Sequence, residues 1–220
     1  MDYIWDWSVV VQFFPVLLEG AALTLELTCI AVSMGILIGT FVGIGRTSNN
    51  KIIYTLSAAY VNFIRGTPML VQLYLVYFGL PAYFGPIPPM IAAIITLSVN
   101  SGAYVAEIVR AGIQSIDRGQ LEAARSLGMT YRQAMGYVLI PQTFKRIIPP
   151  LGNEFIAMLK DSSIVSVIAL EELVRKGTMI AGRTFRSFEI WIAVALLFLF
   201  MTLPITQLVN YPERRLKQND

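Results

Sequence analysis

Histidine is absent from this chain of 220 residues, and cysteine occurs once, at Cys29. Those two scarcities exclude a disulfide framework and a Cys/His metal site. They also leave no Ser/His or Cys/His pair for nucleophilic catalysis, which sets aside a membrane enzyme. Charge is scarce as well, at 14% of residues against about 25% in soluble domains. No G-x-x-x-x-G-K-S/T phosphate loop is present, so ATP hydrolysis is not expected of this chain.

What is abundant is apolar. Hydrophobic residues make up 55% of the chain and the mean hydropathy is +0.62, as in a polytopic membrane protein. The net charge of +3 is modest. Its basic residues fall in loops rather than along one polar face, which fits a membrane better than nucleic acid. Cys29 lies in an apolar run and is expected to be a small buried hydrophobe. Asp2 and Asp6 stand where a signal peptide would carry a basic region. Tyr3, Trp5 and Trp7 read instead as an interfacial aromatic belt.

A transmembrane helix needs about 20 mostly apolar residues. Five stretches qualify, at about 21–44, 52–78, 87–109, 147–168 and 188–209. Together they predict an all-α membrane protein in which 1–220 is a single transmembrane domain. Arg46 and Lys51 follow the first stretch. The loop at about 110–146 holds Arg110, Arg118, Arg125, Arg132, Lys145 and Arg146, and the tail holds Arg214, Arg215 and Lys217. Placing these on the cytoplasmic side satisfies the positive-inside rule. The N-terminus is then outside and the C-terminus cytoplasmic. Arg175, Lys176, Arg183 and Arg186 run against the rule, but Glu171, Glu172 and Glu189 nearly neutralise them.

Arg65-Gly66-Thr67-Pro68 interrupts the second stretch. Pro68 cannot donate to Ile64 and its ring clashes there, so the helix should kink or break. A break at membrane depth needs protein or a water-filled cavity around it. The other reading is a membrane-edge turn, with Arg65 reaching to the cytoplasmic interface.

The loop at 110–146 parses as two short helices. Leu121, Ala124 and Leu127 recur at helical spacing, and Gly128 offers a left-handed stop. Thr130-Tyr131-Arg132-Gln133 reads as a capping box opening a second helix. Pro141 ends that helix or starts the next span. Ala123 and Ala124 are small enough to let another protein surface approach, with Glu122 as a charged contact beside them.

The series Glu122-Ala123-Ala124, Gly128, then Val138-x-Ile140-Pro141 resembles the EAA loop of ATP-binding-cassette (ABC) importer permeases. Three further segments are similar to the polar amino-acid subgroup of these permeases: Phe63 to Gln72, Ser101 to Arg110, and Leu159 to Ser163. The resemblance covers most of the chain. It implies the type I importer permease (MetI-like) fold and a prokaryotic inner-membrane location. It also implies that Glu122, Ala123, Ala124, Leu127 and Gly128 form a coupling helix seated on a cytoplasmic ABC ATPase. Two ATPase subunits carrying ATP and Mg, a second permease subunit and an extracytoplasmic amino-acid-binding protein would complete the assembly. This chain would hold no cofactor of its own and would act as a non-catalytic subunit.

Ionisable groups inside a bilayer are costly and usually face a pathway or one another. On the fourth stretch Asn153, Glu154, Lys160 and Asp161 share one helical sector. On the third, Asn100, Tyr104 and Glu107 share a face, with Ser101 beside it. With Gln72 these suggest a polar slot in which carboxylates hold an ammonium and Lys160 a carboxylate. The expected substrate-binding set is Asn100, Glu154, Lys160, Asp161, Ser101, Tyr104 and Gln72. Lys160 and Asp161 have a second reading, in which they only hold helices together. Glu107 is expected to pair with Arg110 at i,i+3. The expected function is import of a polar amino acid, with a slight preference for a basic one, by alternating access. A channel or ion-coupled secondary carrier would need no ATPase. The absence of a visible inverted repeat argues against it.

Overall fold

The computed structural model of the protein describes residues 4–216, with the backbone alone at 118 and 210–216. Among the described residues the regular structure is entirely helical. The helices are α1 (Ser8–Gly45), α2 (Lys51–Gly66), α3 (Met69–Tyr74), α4 (Pro81–Phe84), α5 (Pro89–Gln114), α6 (Arg118–Ser126), α7 (Tyr131–Ala134), α8 (Ile140–Asp161), α9 (Leu173–Thr184) and α10 (Ser187–Leu216). α1, α5 and α10 are long and apolar enough to cross a membrane, and the bent run from α2 to α4 makes a fourth candidate. α8 is not among them, because Lys145, Arg146, Glu154, Lys160 and Asp161 interrupt its apolar face. The first helix also starts well before residue 21, at Ser8, and spans 38 residues.

α1 is the spine of the fold. Three of its glycines, Gly35, Gly39 and Gly43, lie four residues apart and face α5. A Cβ on Gly39 would come within 2.5 Å of the Val105 Cβ and 2.7 Å of the Gly102 carbonyl, and one on Gly35 within 2.7 Å of Ser101. Small residues at this spacing let two backbones approach closely in a membrane, where dispersion replaces the hydrophobic drive. The other half of α1 packs elsewhere. Leu17 and Ala21 join Leu173 and Ile180 of α9 and Ile190 of α10 in one apolar core. Leu27, Ala31 and Val32 join Leu73, Leu97 and Met158 in another. Cys29 departs from expectation: it lies on the exposed side of α1, turned away from the face that carries Leu27 and Ala31.

The break in the second stretch is real. α2 ends at Gly66, α3 begins at Met69, and the two arms are bent by 103°. Thr67, which precedes the proline, is extended at φ −120° and ψ 144°, the conformation that a following Pro imposes. Two π-helical turns follow the same logic. Leu75–Gly79 precedes Pro81 and Met135–Leu139 precedes Pro141. In each the wider turn relieves the clash between the proline ring and the carbonyl four residues back. Pro141 therefore sits in the first turn of α8, and the chain stays helical from Tyr131 to Asp161.

Candidate functional site: a charged cavity and a capped loop

The break at Pro68 leaves the Ile64 carbonyl without its usual helical donor. The side-chain amide of Gln72 supplies one. Its Nε2 donates to the Ile64 carbonyl at 2.8 Å, to the Thr67 carbonyl at 3.1 Å and to the Thr67 hydroxyl at 2.9 Å. Its Oε1 accepts from Asn100 Nδ2 at 3.1 Å. Gln72 and Asn100 are both buried. One hydrogen-bonded chain thus ties the broken helix to the middle of α5.

One residue further along α5, Ser101 donates from its hydroxyl to Glu154 Oε1 at 3.1 Å. Glu154 opens on its other side into a cavity of about 480 Å³ between the end of α2, α5 and α8. Tyr104, Glu107, Ser115 and Arg146 line this cavity, as does Arg65. It follows α5 from Tyr104 to Ser115, about 16 Å at 1.5 Å per residue. Glu107 is held by Arg110 as expected at i,i+3, and Arg46 also reaches it at 3.6 Å. Arg146 donates to the Ser115 carbonyl.

The structure gathers some of the expected slot and not the rest. It links Gln72 to Asn100, links Ser101 to Glu154, and sets Tyr104 and Glu154 around one cavity. Lys160 and Asp161 stand exposed at the end of α8, outside this cavity's lining. The helix gives way there to a tighter 3-10 turn, Ser162–Ile168. Sequence reasoning did not bring Arg65, Arg146 or Ser115 to this cavity. A charge beside a helix-breaking proline was the available signal for Arg65.

The loop after α5 is built as a capped corner. Asp117 accepts the Gly119 N–H at the start of α6. At its end the Gly128 N–H bonds the Arg125 carbonyl at 3.0 Å and the Met129 N–H bonds the Ala124 carbonyl at 3.3 Å. These paired bonds close the helix in a Schellman motif, and Gly128 takes the left-handed φ of +84° that the motif requires. Thr130 and Gln133 then form the expected reciprocal capping box of α7. Glu122, Ala123 and Gly128 are exposed, and Leu127 is 82% exposed. Ala124 is buried against its own chain, so it supports the corner instead of presenting it.

A third constellation lies where α9 meets α1. Glu172 is fully buried and caps α9, accepting the Val174 and Arg175 N–H groups at 2.9 and 2.8 Å. Burial pushes its carboxyl up to about 7, against the pull of those bonds. Glu189, also fully buried, accepts the Asp6 N–H at 3.0 Å. Trp5 stacks on Trp7 at 5.6 Å and meets Phe188 edge-on at 5.2 Å. Tyr3, expected in the same aromatic belt, lies outside the described residues.

Residues 35–218 match the family described as the binding-protein-dependent transport system inner membrane component. The chain belongs to this family. This permease is 40% identical over 214 residues to the glutamine transport system permease protein GlnP of Escherichia coli K12, covering 96% of its own length and 98% of that protein. It is 38% identical over 216 residues to the arginine transport system permease protein ArtQ of Bacillus subtilis, covering 98% and 99%. Its structure overlays that of an amino acid ABC transporter solved with histidines, with a TM-score of 0.91 and 47% identity over 97% of this chain and 100% of that one. A chain of the MetNI methionine ABC transporter, at 22% identity and a TM-score of 0.79 over 93% and 97%, shares the fold. This permease is therefore a membrane subunit of an amino-acid ABC importer, with the MetI-like fold.

Proposed function

We propose that this permease forms half of a translocation path for a polar amino acid, with a slight preference for a basic one, by alternating access. Two permease subunits enclose the path. Two cytoplasmic ABC ATPases supply ATP and Mg chemistry, and this chain is non-catalytic. An extracytoplasmic amino-acid-binding protein delivers the substrate. Five spans place the N-terminus outside and the C-terminus in the cytoplasm of a prokaryote, with α8 as the polar fourth span.

The carrying observation is the Ser101–Glu154 pair opening into the charged cavity. A carboxylate with one neutral hydrogen-bond partner is a fitting receptor for an ammonium group. Asn100, Tyr104 and Gln72 complete this part of the slot, with Gln72 holding Asn100 in place. Lys160 and Asp161 are exposed charges that lipid would not tolerate. That favours placing them against the path. The preference for a basic substrate rests on Glu154 and Asp161 outnumbering Lys160.

The coupling reading rests on the exposed corner of Glu122, Ala123, Leu127 and Gly128, backed by Ala124. Movement of a docked ATPase would reach α8 through α7 without leaving helix. The test of the slot is Glu154→Ala in the reconstituted importer. Transport should be lost while ATPase association is kept. Transport at the wild-type rate would sink the assignment. A ligand panel read by ATPase stimulation tests the substrate class, and stimulation by glutamate but not arginine would contradict the basic preference.

A further inference from the structure

The cavity holds two cations and two carboxylates, and their pairing is uneven. Glu107 is taken by Arg110 and Arg46, while Arg146 donates to the Ser115 carbonyl without a carboxylate partner among the described residues. Among the described residues no ion pair engages Glu154 or Arg65. Glu154 hydrogen-bonds to the Ser101 hydroxyl, and Arg65 attracts it only from beyond ion-pair distance. The Arg65 guanidinium lies over the Tyr104 ring, 5.2 Å from its centre, and its donors meet no hydrogen-bond acceptor among the described residues. One carboxylate outside any ion pair therefore faces the same cavity as two such guanidiniums, and of these Arg65 is the one not anchored to a backbone carbonyl.

We propose that Arg65 binds the α-carboxylate of the transported amino acid while Glu154 takes its α-ammonium. This rests on the slot reading above and replaces Lys160 with Arg65 as the carboxylate partner. A planar guanidinium presents a fork of donors that matches a carboxylate two-fold, and it sheds water more readily than an ammonium does. The Tyr104 ring fixes the guanidinium plane by a cation–π contact. Arg65 is in the last turn of α2, and the 103° break directly after it, held by Gln72, fixes its place at the cavity wall. Recognition of both backbone charges at one site would let the path accept different side chains while rejecting compounds that lack the zwitterion.

The test uses the permease–ATPase complex purified in detergent, without the binding protein. Equilibrium binding of radiolabelled L-arginine and L-glutamine is compared with binding of their methyl esters, which keep the ammonium and lose the carboxylate. Wild-type complex should bind the amino acids about 10- to 100-fold more tightly than the esters, the worth of a charge-assisted pair. Arg65→Gln should lose that margin and leave ester affinity unchanged. Arg65→Lys, which keeps the charge without the fork, should lose about 10-fold for the amino acids alone, and it decides the matter if Arg65→Gln does not assemble. Three results would overturn the proposal. They are an unchanged margin in the variants, a parallel loss for amino acid and ester, and a wild type that does not distinguish the two. Glu154→Gln in the same assay separates the two layers. If it binds and transports normally, the slot reading has failed. If it abolishes both while Arg65→Gln changes neither, only the assignment of Arg65 has failed.

Discussion

The side-chain amide of Gln72 performs the task that Pro68 cannot, donating to the carbonyl four residues before the proline. Leucine at position 72 would keep the volume and orphan the carbonyls of Ile64 and Thr67 together with the Asn100 amide. Gln72→Leu should destabilise the protein by roughly 2–4 kcal/mol, read as a lower thermal midpoint in detergent. An unchanged midpoint would mean that water replaces the amide. Glu172 makes a prediction about pH. Its carboxyl moves from an ordinary 4.5 to about 7 on folding, so the folded state resists its ionisation. The contribution is fully present below about pH 4.5 and is lost as pH rises through 7. The thermal midpoint should therefore fall between pH 5 and 8. Glu172→Gln, which keeps an acceptor for the cap and cannot ionise, should flatten that fall. An equal fall in both proteins would place the titration elsewhere.

At the scale of elements, the contact between α1 and α5 depends on glycines that have no room for a side chain. Gly39→Leu should overpack it and cost about 3 kcal/mol or more, visible as loss of monodisperse protein. Gly182, in α9, is open: a Cβ added there would meet nothing within 4 Å. Gly182→Ala should instead raise stability by about 0.5–1 kcal/mol. Gly128→Val would force a β-branched residue into the left-handed region, at about 1–2 kcal/mol. Substrate-stimulated ATPase activity should drop while membrane insertion is kept, and Glu122→Arg should act in the same direction by weakening the dock. Several elements were legible in the sequence because their causes are local. The break at Pro68, the Gly128 corner and the Thr130 capping box all follow from the chemistry of a few adjacent residues. The partner of the glycine face was not legible, because period alone does not say which helix approaches. Cys29 was misplaced for the same reason: an apolar run marks a span but not its lipid-facing side.

For the whole molecule, the family and the all-helical architecture could be read from spaced motifs and composition. The cavity could not. It joins α2, α5 and α8 across some 90 residues of sequence (Arg65 to Glu154), and only packing brings Arg65 to the same wall as Glu154. Helical arithmetic grouped Glu154 with Lys160 and Asp161 on one side of α8, but those two sit six and seven residues further along the helix, about 9–10 Å at 1.5 Å per residue, past the cavity's lining. In the proposed function, ATP hydrolysis on a partner drives an amino acid through this permease. The most direct test of this function is uptake of radiolabelled arginine and glutamine into proteoliposomes holding the permease, its ATPase and its binding protein, with ATP inside or outside. Uptake is expected only when ATP is on the ATPase side, and none when the ATPase is omitted. Uptake that persists without the ATPase and follows an imposed ion gradient would contradict it.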